Sequence, residues 1–119
     1  MKEHSVKLLA VCEDQSSIVD WAERVFGPPS SAMAVAAHAN VEMAELLRIM
    51  AHNSSVPLKE CAHRHRMGAA EAAAGIMIQL YRLAQIGSFD LLAAVDHRMR
   101  MNRQRHQAEC GGKGEGARS

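Results

Sequence analysis

The feature that most constrains the fold of this chain is the kind of apolar residue it uses. Its 119 residues include 20 alanines and 8 methionines, but only four Trp, Tyr or Phe side chains. β-Sheets favour β-branched and aromatic residues, whereas alanine, leucine and methionine favour helices. The composition therefore predicts an all-α domain of thin, closely approaching helices. Because such a core is light for a free monomer, we also expect self-association.

Helical spacing and chain-breaking residues predict four helical segments. Gly27-Pro28-Pro29 separates the first two, and Pro57 suits the first turn of the third. The third is expected to break near Met67-Gly68 and to stop at Gly87, after which Ser88 caps the fourth. For the first helix, Ser16 or Ser17 is the candidate cap, with Asp14 as a rival. The predicted segments are residues 13–26, 30–52, 57–86 and 89–107.

These segments imply one helical domain over residues 13–108, after an N-terminal segment of residues 1–12. The Gly-rich tail, residues 109–119, is expected to be disordered. No apolar run has the length of a membrane helix, and no secretory signal is recognisable. The three cysteines are widely spaced, form no C-x-x-C motif and have no neighbouring base. We therefore expect a cytoplasmic protein with reduced thiols and without membrane contact.

Charge is divided unevenly along the chain. Residues 1–60 carry 5 Lys and Arg against 8 Asp and Glu, whereas residues 61–119 carry 9 against 5. The net charges are thus −3 and +4, which sum to the overall +1. This split is a weak basis for nucleic-acid binding, which we do not expect. It suits either a site that holds cations and phosphates between two segments or two complementary halves that pack together.

Two carboxylates of the second helix are the first candidate for chemistry. Glu42 and Glu45 stand three residues apart on one helix face, with His38 one turn earlier, and their neighbours are mostly apolar. Carboxylate oxygens are the ligands that Mg²⁺ prefers, and such ions often bind phosphates as well. The alternative is a solvated helix edge on which Arg48 pairs with Glu45.

The third and fourth helices carry the other candidate residues. Glu71 lies in the alanine-rich part of the third helix, and Gln79 and Arg82 interrupt its apolar second half. Gly75 in a helix interior costs about 1 kcal/mol relative to alanine, which favours close approach by a crossing helix or a ligand. In the fourth helix one stripe suits phosphate binding, although it can equally be a solvated basic end: Arg98, Asn102 and Arg105.

The order of these helical segments and their polar residues resembles that of the MazG-like all-α nucleoside triphosphate pyrophosphatases, over residues 18–106. Four stretches carry the resemblance. They are W-A-E-R-V-F-G (residues 21–27), H-A-N-V-E-M-A-E-L (38–46), L-Y-R-L-A running into G-S-F-D-L (80–91), and R-M-R-M-N-R-Q-R (98–105). The second is similar to the E-x-x-E-L helix of that family, and the last to its K-M-x-x-N-x-R ending.

The resemblance implies a four-helix bundle that assembles as a dimer or a tetramer. It also implies Mg²⁺ or Mn²⁺ held by carboxylates, and hydrolysis of a nucleoside triphosphate, here leaning towards a purine dNTP, to the monophosphate and pyrophosphate. Carried over residue by residue, Glu42 and Glu45 become metal ligands. The residues carried over as nucleotide or phosphate contacts are Arg98, Asn102, Arg105, His38 and Trp21.

One departure from the family pattern bears on activity. The E-x-x-D pair of the third helix falls on Ala72 and Gly75, so both carboxylates are missing. Glu71 is one residue away, roughly 100° around the helix, and is the candidate replacement ligand. The alternatives to an active enzyme are a relative that binds nucleotide without hydrolysing it and a helical interaction module.

Overall fold

The computed structural model describes residues 12–52 and 54–112. It contains α1 (Gln15–Phe26), α2 (Ala32–His52), a 3₁₀ turn (Leu58–Glu60), α3 (His63–Ile86) and α4 (Leu91–Gly112), and no strand occurs in this part of the chain. The all-α prediction with four helices is confirmed. The predicted segment before Cys12, Asn53 and the predicted tail beyond Gly112 lie outside the described residues.

Local capping chemistry sets the starts of the helices. Asp14 caps α1 by accepting the N–H of Ser17 at 2.8 Å, and the Ser17 hydroxyl accepts the N–H of Asp14 at 2.9 Å. The rival cap is therefore the one used, and Ser17 completes a capping box. Ser31 starts α2 in the predicted way, since its Oγ accepts the N–H of Ala34 at 3.0 Å.

One predicted break, within the third helix, is wrong. α3 runs without interruption through Met67 and Gly68, and the chain breaks earlier, between the 3₁₀ turn and His63. Only the side chain of Ile49 lies within 4 Å of a Cβ built on Gly68, so nothing there forces the helix to end. The predicted end of the fourth helix is also wrong. α4 continues to Gly112 instead of stopping near Gln107, since residues 107–109 tolerate a helix.

The predicted Ser88 cap of the fourth helix is also wrong. Asp90 caps α4, with its Oδ1 accepting the N–H of Ala93 at 2.8 Å. Ser88 instead adopts a left-handed conformation, with φ 59°, directly after the αR residue Gly87. A left-handed residue ends many helices, and here a serine takes the place that glycine usually fills.

The described residues fall into two compact units that meet between Ser88 and Phe89. In the first unit, α3 packs along α2 and also against α1. Its buried apolar residues are small: Val19 and Ala22 of α1, Val35 of α2, Ala69 and Ala84 of α3, and Cys61. The second unit contains α4. No helix in the described ranges combines the length and apolar character needed to cross a bilayer.

Candidate functional site

The Glu42 carboxylate lies between α2 and α3. Its Oε2 is 3.3 Å from Nε2 of His38, one turn earlier in α2, and the Glu42 side chain is 26% exposed. Across the helix interface, a Cβ built on Gly75 would overlap with Glu42 Oε1. The glycine therefore leaves the space that this carboxylate fills. The predicted shared face of His38 and Glu42 is confirmed, and the group that approaches Gly75 is a side chain of the crossing helix.

Glu45 is engaged by a different partner. Arg48 Nε donates to Glu45 Oε1 at 3.2 Å, and Arg48 Nη2 donates to Oε2. The hydrogen bonds from Arg48 lower the pKa of Glu45, and the carboxylate in turn raises the pKa of Arg48. The pairing expected for a solvated helix edge is thus present, and both side chains are exposed.

The third helix supplies few ligands near these carboxylates. Glu71 is exposed, while Ala72 and Gly75 are partly buried. Within residues 12–52 and 54–112, no three His, Cys, Asp or Glu side chains come together in a group that could hold a metal ion. A cation at α2 would therefore need oxygens from water or from a bound phosphate.

A pocket of about 190 Å³ extends from His38 towards the start of α2. Its walls are the α1–α2 connection (residues 26–30), the first turns of α2, and Gln79 and Arg82 of α3. His38 belongs both to this pocket and to the contact with Glu42. The carboxylate region and the pocket are therefore adjacent along the α2–α3 interface.

The polar residues of the pocket are buried. Gln79 is 5% exposed and Arg82 is 8% exposed. Arg82 Nη2 donates to the carbonyl of Gly27 at 3.4 Å, whereas Arg82 Nε and Gln79 Oε1 have no hydrogen-bond partner. Both residues interrupt an otherwise apolar helical run, and that interruption was the available signal for this pair. It gave no indication that the two side chains are enclosed.

Trp21 lies on α1 and is 48% exposed. Its ring packs edge-on against Phe26, with centroids 5.5 Å apart and planes at 85°. Since Phe26 lines the pocket, Trp21 stands next to the pocket wall. A half-exposed indole beside a pocket has the surface that stacking on a planar ligand requires.

The predicted phosphate-binding residues belong to the second compact unit. Arg98 and Arg105 are exposed on α4, and Asn102 is partly buried. On the same helix, Cys110 Sγ lies 3.3 Å from Nε2 of His106. The expectation that no cysteine has a neighbouring base is therefore wrong for Cys110. The spacing of four residues between them was the available signal.

No protein-family model and no curated protein match this sequence.

Proposed function

We propose that the chain is a metal-dependent nucleoside triphosphate pyrophosphohydrolase that releases a monophosphate and pyrophosphate. The single observation that supports this most is the contact between Glu42 and Gly75. The resemblance places the E-x-x-E pair on α2 and the missing aspartate at position 75. The two positions that a metal site of that kind brings together are thus in contact across the α2–α3 interface.

The donor set fits a divalent cation only in part. Glu42 and Glu45 offer carboxylate oxygens one turn apart, and each is now held by a neighbour, His38 or Arg48. Mg²⁺ commonly takes one or two carboxylates and completes its shell with water and substrate phosphates, so the pair is sufficient when a triphosphate is bound. A bound Mg²⁺ or Mn²⁺ supplies charge neutralisation and an activated water.

The chain's own residues take the remaining roles in this proposal. Glu42 and Glu45 hold the ion, with Glu71 as a further ligand, and His38 orients the Glu42 carboxylate. Arg98, Asn102 and Arg105 bind phosphate, and Trp21 borders the base, with a purine deoxynucleotide as the favoured substrate. The cysteines are all free thiols, which agrees with a cytoplasmic enzyme.

The test is an assay of the full chain with each dNTP and either Mg²⁺ or Mn²⁺, read out as pyrophosphate and monophosphate. We expect turnover that Glu42→Gln lowers at least 100-fold, because it removes an anionic ligand without changing side-chain volume. Glu60→Gln, at an exposed position of the 3₁₀ turn, is the matched control and keeps full activity. The proposal fails if no triphosphate yields pyrophosphate, or if Glu42→Gln is as active as the control.

A second candidate function is nucleotide binding without hydrolysis. The observation that favours it is that the described residues contain no group of three His, Cys, Asp or Glu side chains that could hold a metal ion. Here a dNTP raises the melting temperature of the protein, and no product forms over a long incubation. Rapid product formation that depends on Glu42 would reject this alternative.

Adding the two missing carboxylates to α3 tests both proposed functions, hydrolysis and nucleotide binding without hydrolysis. We expect Ala72→Glu combined with Gly75→Asp to bind Mn²⁺ at least tenfold more tightly than the natural chain in calorimetry, since two oxygen ligands are added beside Glu42. Without metal the double variant should be less stable, because the Glu42 carboxylate must move away from the new Cβ at position 75 and like charges then face one another. Ala70→Glu with Ala73→Asp adds the same charges on the exposed face of α3 and serves as control. Equal affinities in the two double variants would place the metal site elsewhere.

A further inference from the structure

Among the described residues of the first unit, the least satisfied charge is the guanidinium of Arg82. The residue is 8% exposed, and the three ion pairs found among the described residues all involve other side chains. Its hydrogen bond to Gly27 is long, at 3.4 Å, and its Nε has no partner. A buried cation without a counter-ion is strongly unfavourable, so this arrangement calls for an anion that residues 12–52 and 54–112 do not provide.

The surroundings of Arg82 suit an anion of a particular size and chemistry. Arg82 lines the 190 Å³ pocket together with Gln79 and His38, and the opposite wall is formed by Ser30, Ala34 and Val35 at the start of α2. The positive end of a helix dipole and a planar guanidinium both favour phosphate oxygens. Gln79 also lines this pocket, and its side-chain amide can donate to a phosphate oxygen or accept from a protonated one.

We infer that this pocket is a phosphate-binding site in which the Arg82 guanidinium is the principal ligand and Gln79 and His38 flank the bound group. The site shares His38 with the carboxylate region, but its principal ligand is Arg82 and it does not depend on hydrolysis at the carboxylates. Its volume exceeds that of one phosphate group, so the pocket also accepts the first atoms of an organic group esterified to it. The ligand class is therefore inorganic phosphate or a phosphate monoester.

The test measures the melting temperature of the full chain during titration with inorganic phosphate, against sodium chloride at equal ionic strength. A ligand that binds only the folded state raises the melting temperature in a saturable way. We expect such a rise for the natural chain and for Arg24→Met, which removes an exposed arginine. Arg82→Met should abolish the rise and should melt in chloride at the same temperature as the natural chain or higher, because it no longer buries an unpaired charge.

Two further variants keep the test decisive. Arg82→Lys retains the charge without the planar fork, and we expect at least tenfold weaker phosphate binding in calorimetry even if Arg82→Met does not fold. Glu45→Gln should bind phosphate as the natural chain does, and should do so whether or not the protein hydrolyses nucleotides. Loss of phosphate binding in Arg82→Lys with retention in Glu45→Gln supports the site independently of the proposed activity.

The choice of probe distinguishes the sources of the phosphate. dAMP that binds more tightly than inorganic phosphate, with the same dependence on Arg82, identifies a nucleotide phosphate as the occupant, and the reverse order identifies free phosphate. Acetate tests whether any oxyanion suffices, and acetate binding as tight as phosphate would overturn the assignment. The assignment is also overturned if the natural chain shows no saturable response, or if Arg82→Lys binds phosphate with unchanged affinity.

Discussion

At the scale of single residues, the carboxylates of α2 are already occupied by neighbours in their own helix. Glu42 pairs with His38 four residues away, and Glu45 pairs with Arg48 three residues away. These spacings place side chains on one helix face, which is why the sequence alone was enough to predict the pairing of Arg48 with Glu45 and the shared face of His38 and Glu42. Any cation that binds here competes with these partners, so its affinity depends on them as well as on the carboxylates.

Arg48 provides a direct test of that competition. Its hydrogen bonds lower the pKa of Glu45, so this pair contributes stability above the ordinary glutamate pKa and loses it as the pH falls through the lowered value. Arg48→Gln should return the pKa of Glu45 towards its ordinary value and make unfolding less dependent on pH in the acid range. NMR titration of the Glu45 carboxyl carbon measures the shift directly.

The control for this prediction is Arg100→Gln, which removes a similar exposed pair with Asp96 on α4. It should leave the titration of Glu45 unchanged. A Glu45 signal that titrates at the same pH in Arg48→Gln and in the natural chain would contradict the prediction.

The contact between Glu42 and Gly75 could not be predicted in the same way. It joins residues on two helices, and a sequence does not specify how far one helix slides or rotates against another. Gly75 stood out only because glycine is unfavourable in a helix interior. The same applies to Arg82 and Gln79, whose polar character was visible along the chain but whose enclosure depends on the α1–α2 connection.

At the scale of whole elements, the break at Gly-Pro-Pro was predicted correctly, whereas the capping residues were predicted only in part. The Gly27-Pro28-Pro29 break separates α1 from α2 as expected, because proline cannot continue a helix that precedes it. Asp and Ser cap helices about equally well, so sequences that contain both near a helix start leave the choice open. The structure uses aspartate for α1 and α4.

The contribution of the Asp14 cap to the free energy of unfolding can be measured. Asp14→Ala removes the acceptor for the N–H of Ser17 and one half of the capping box. We expect the free energy of unfolding to fall by about 1 kcal/mol, within a range of about 0.5–2 kcal/mol, in urea denaturation followed by circular dichroism. Ser16→Ala, at an exposed position of the same first turn, should change it by much less. Equal losses in the two variants would show that the cap contributes little.

At the scale of the whole molecule, the composition determines how little can be buried. Alanine allows helices to approach closely but removes little apolar surface from water, so the all-α class and the light core were both predictable. The composition did not predict which apolar side chains stay exposed to solvent. The outer face of α2 presents Met33, Val41 and Leu47, which are 77%, 65% and 63% exposed, together with several alanines.

This face leads to a prediction about assembly. An exposed apolar helix face with small residues is suited to packing against a second copy of the chain. We expect the protein to sediment as a dimer or tetramer, and Leu47→Glu to shift it towards the monomer by placing a charge in the contact. Ser54→Glu adds the same charge on an exposed turn and should leave the mass unchanged. A natural chain that sediments as a monomer at micromolar concentration would contradict the prediction.

The turn between α3 and α4 has a practical consequence for anyone who wishes to isolate the two compact units. Only residues 87–90 lie between the helices. The N–H groups of Gly87 and Ser88 donate back to α3, and Asp90 accepts the N–H groups of Ala93 and Ala94. A protease must draw several residues into its cleft as an extended strand, and this joint offers no such stretch. The units should therefore resist separation by limited digestion, and each would have to be obtained by expressing it alone.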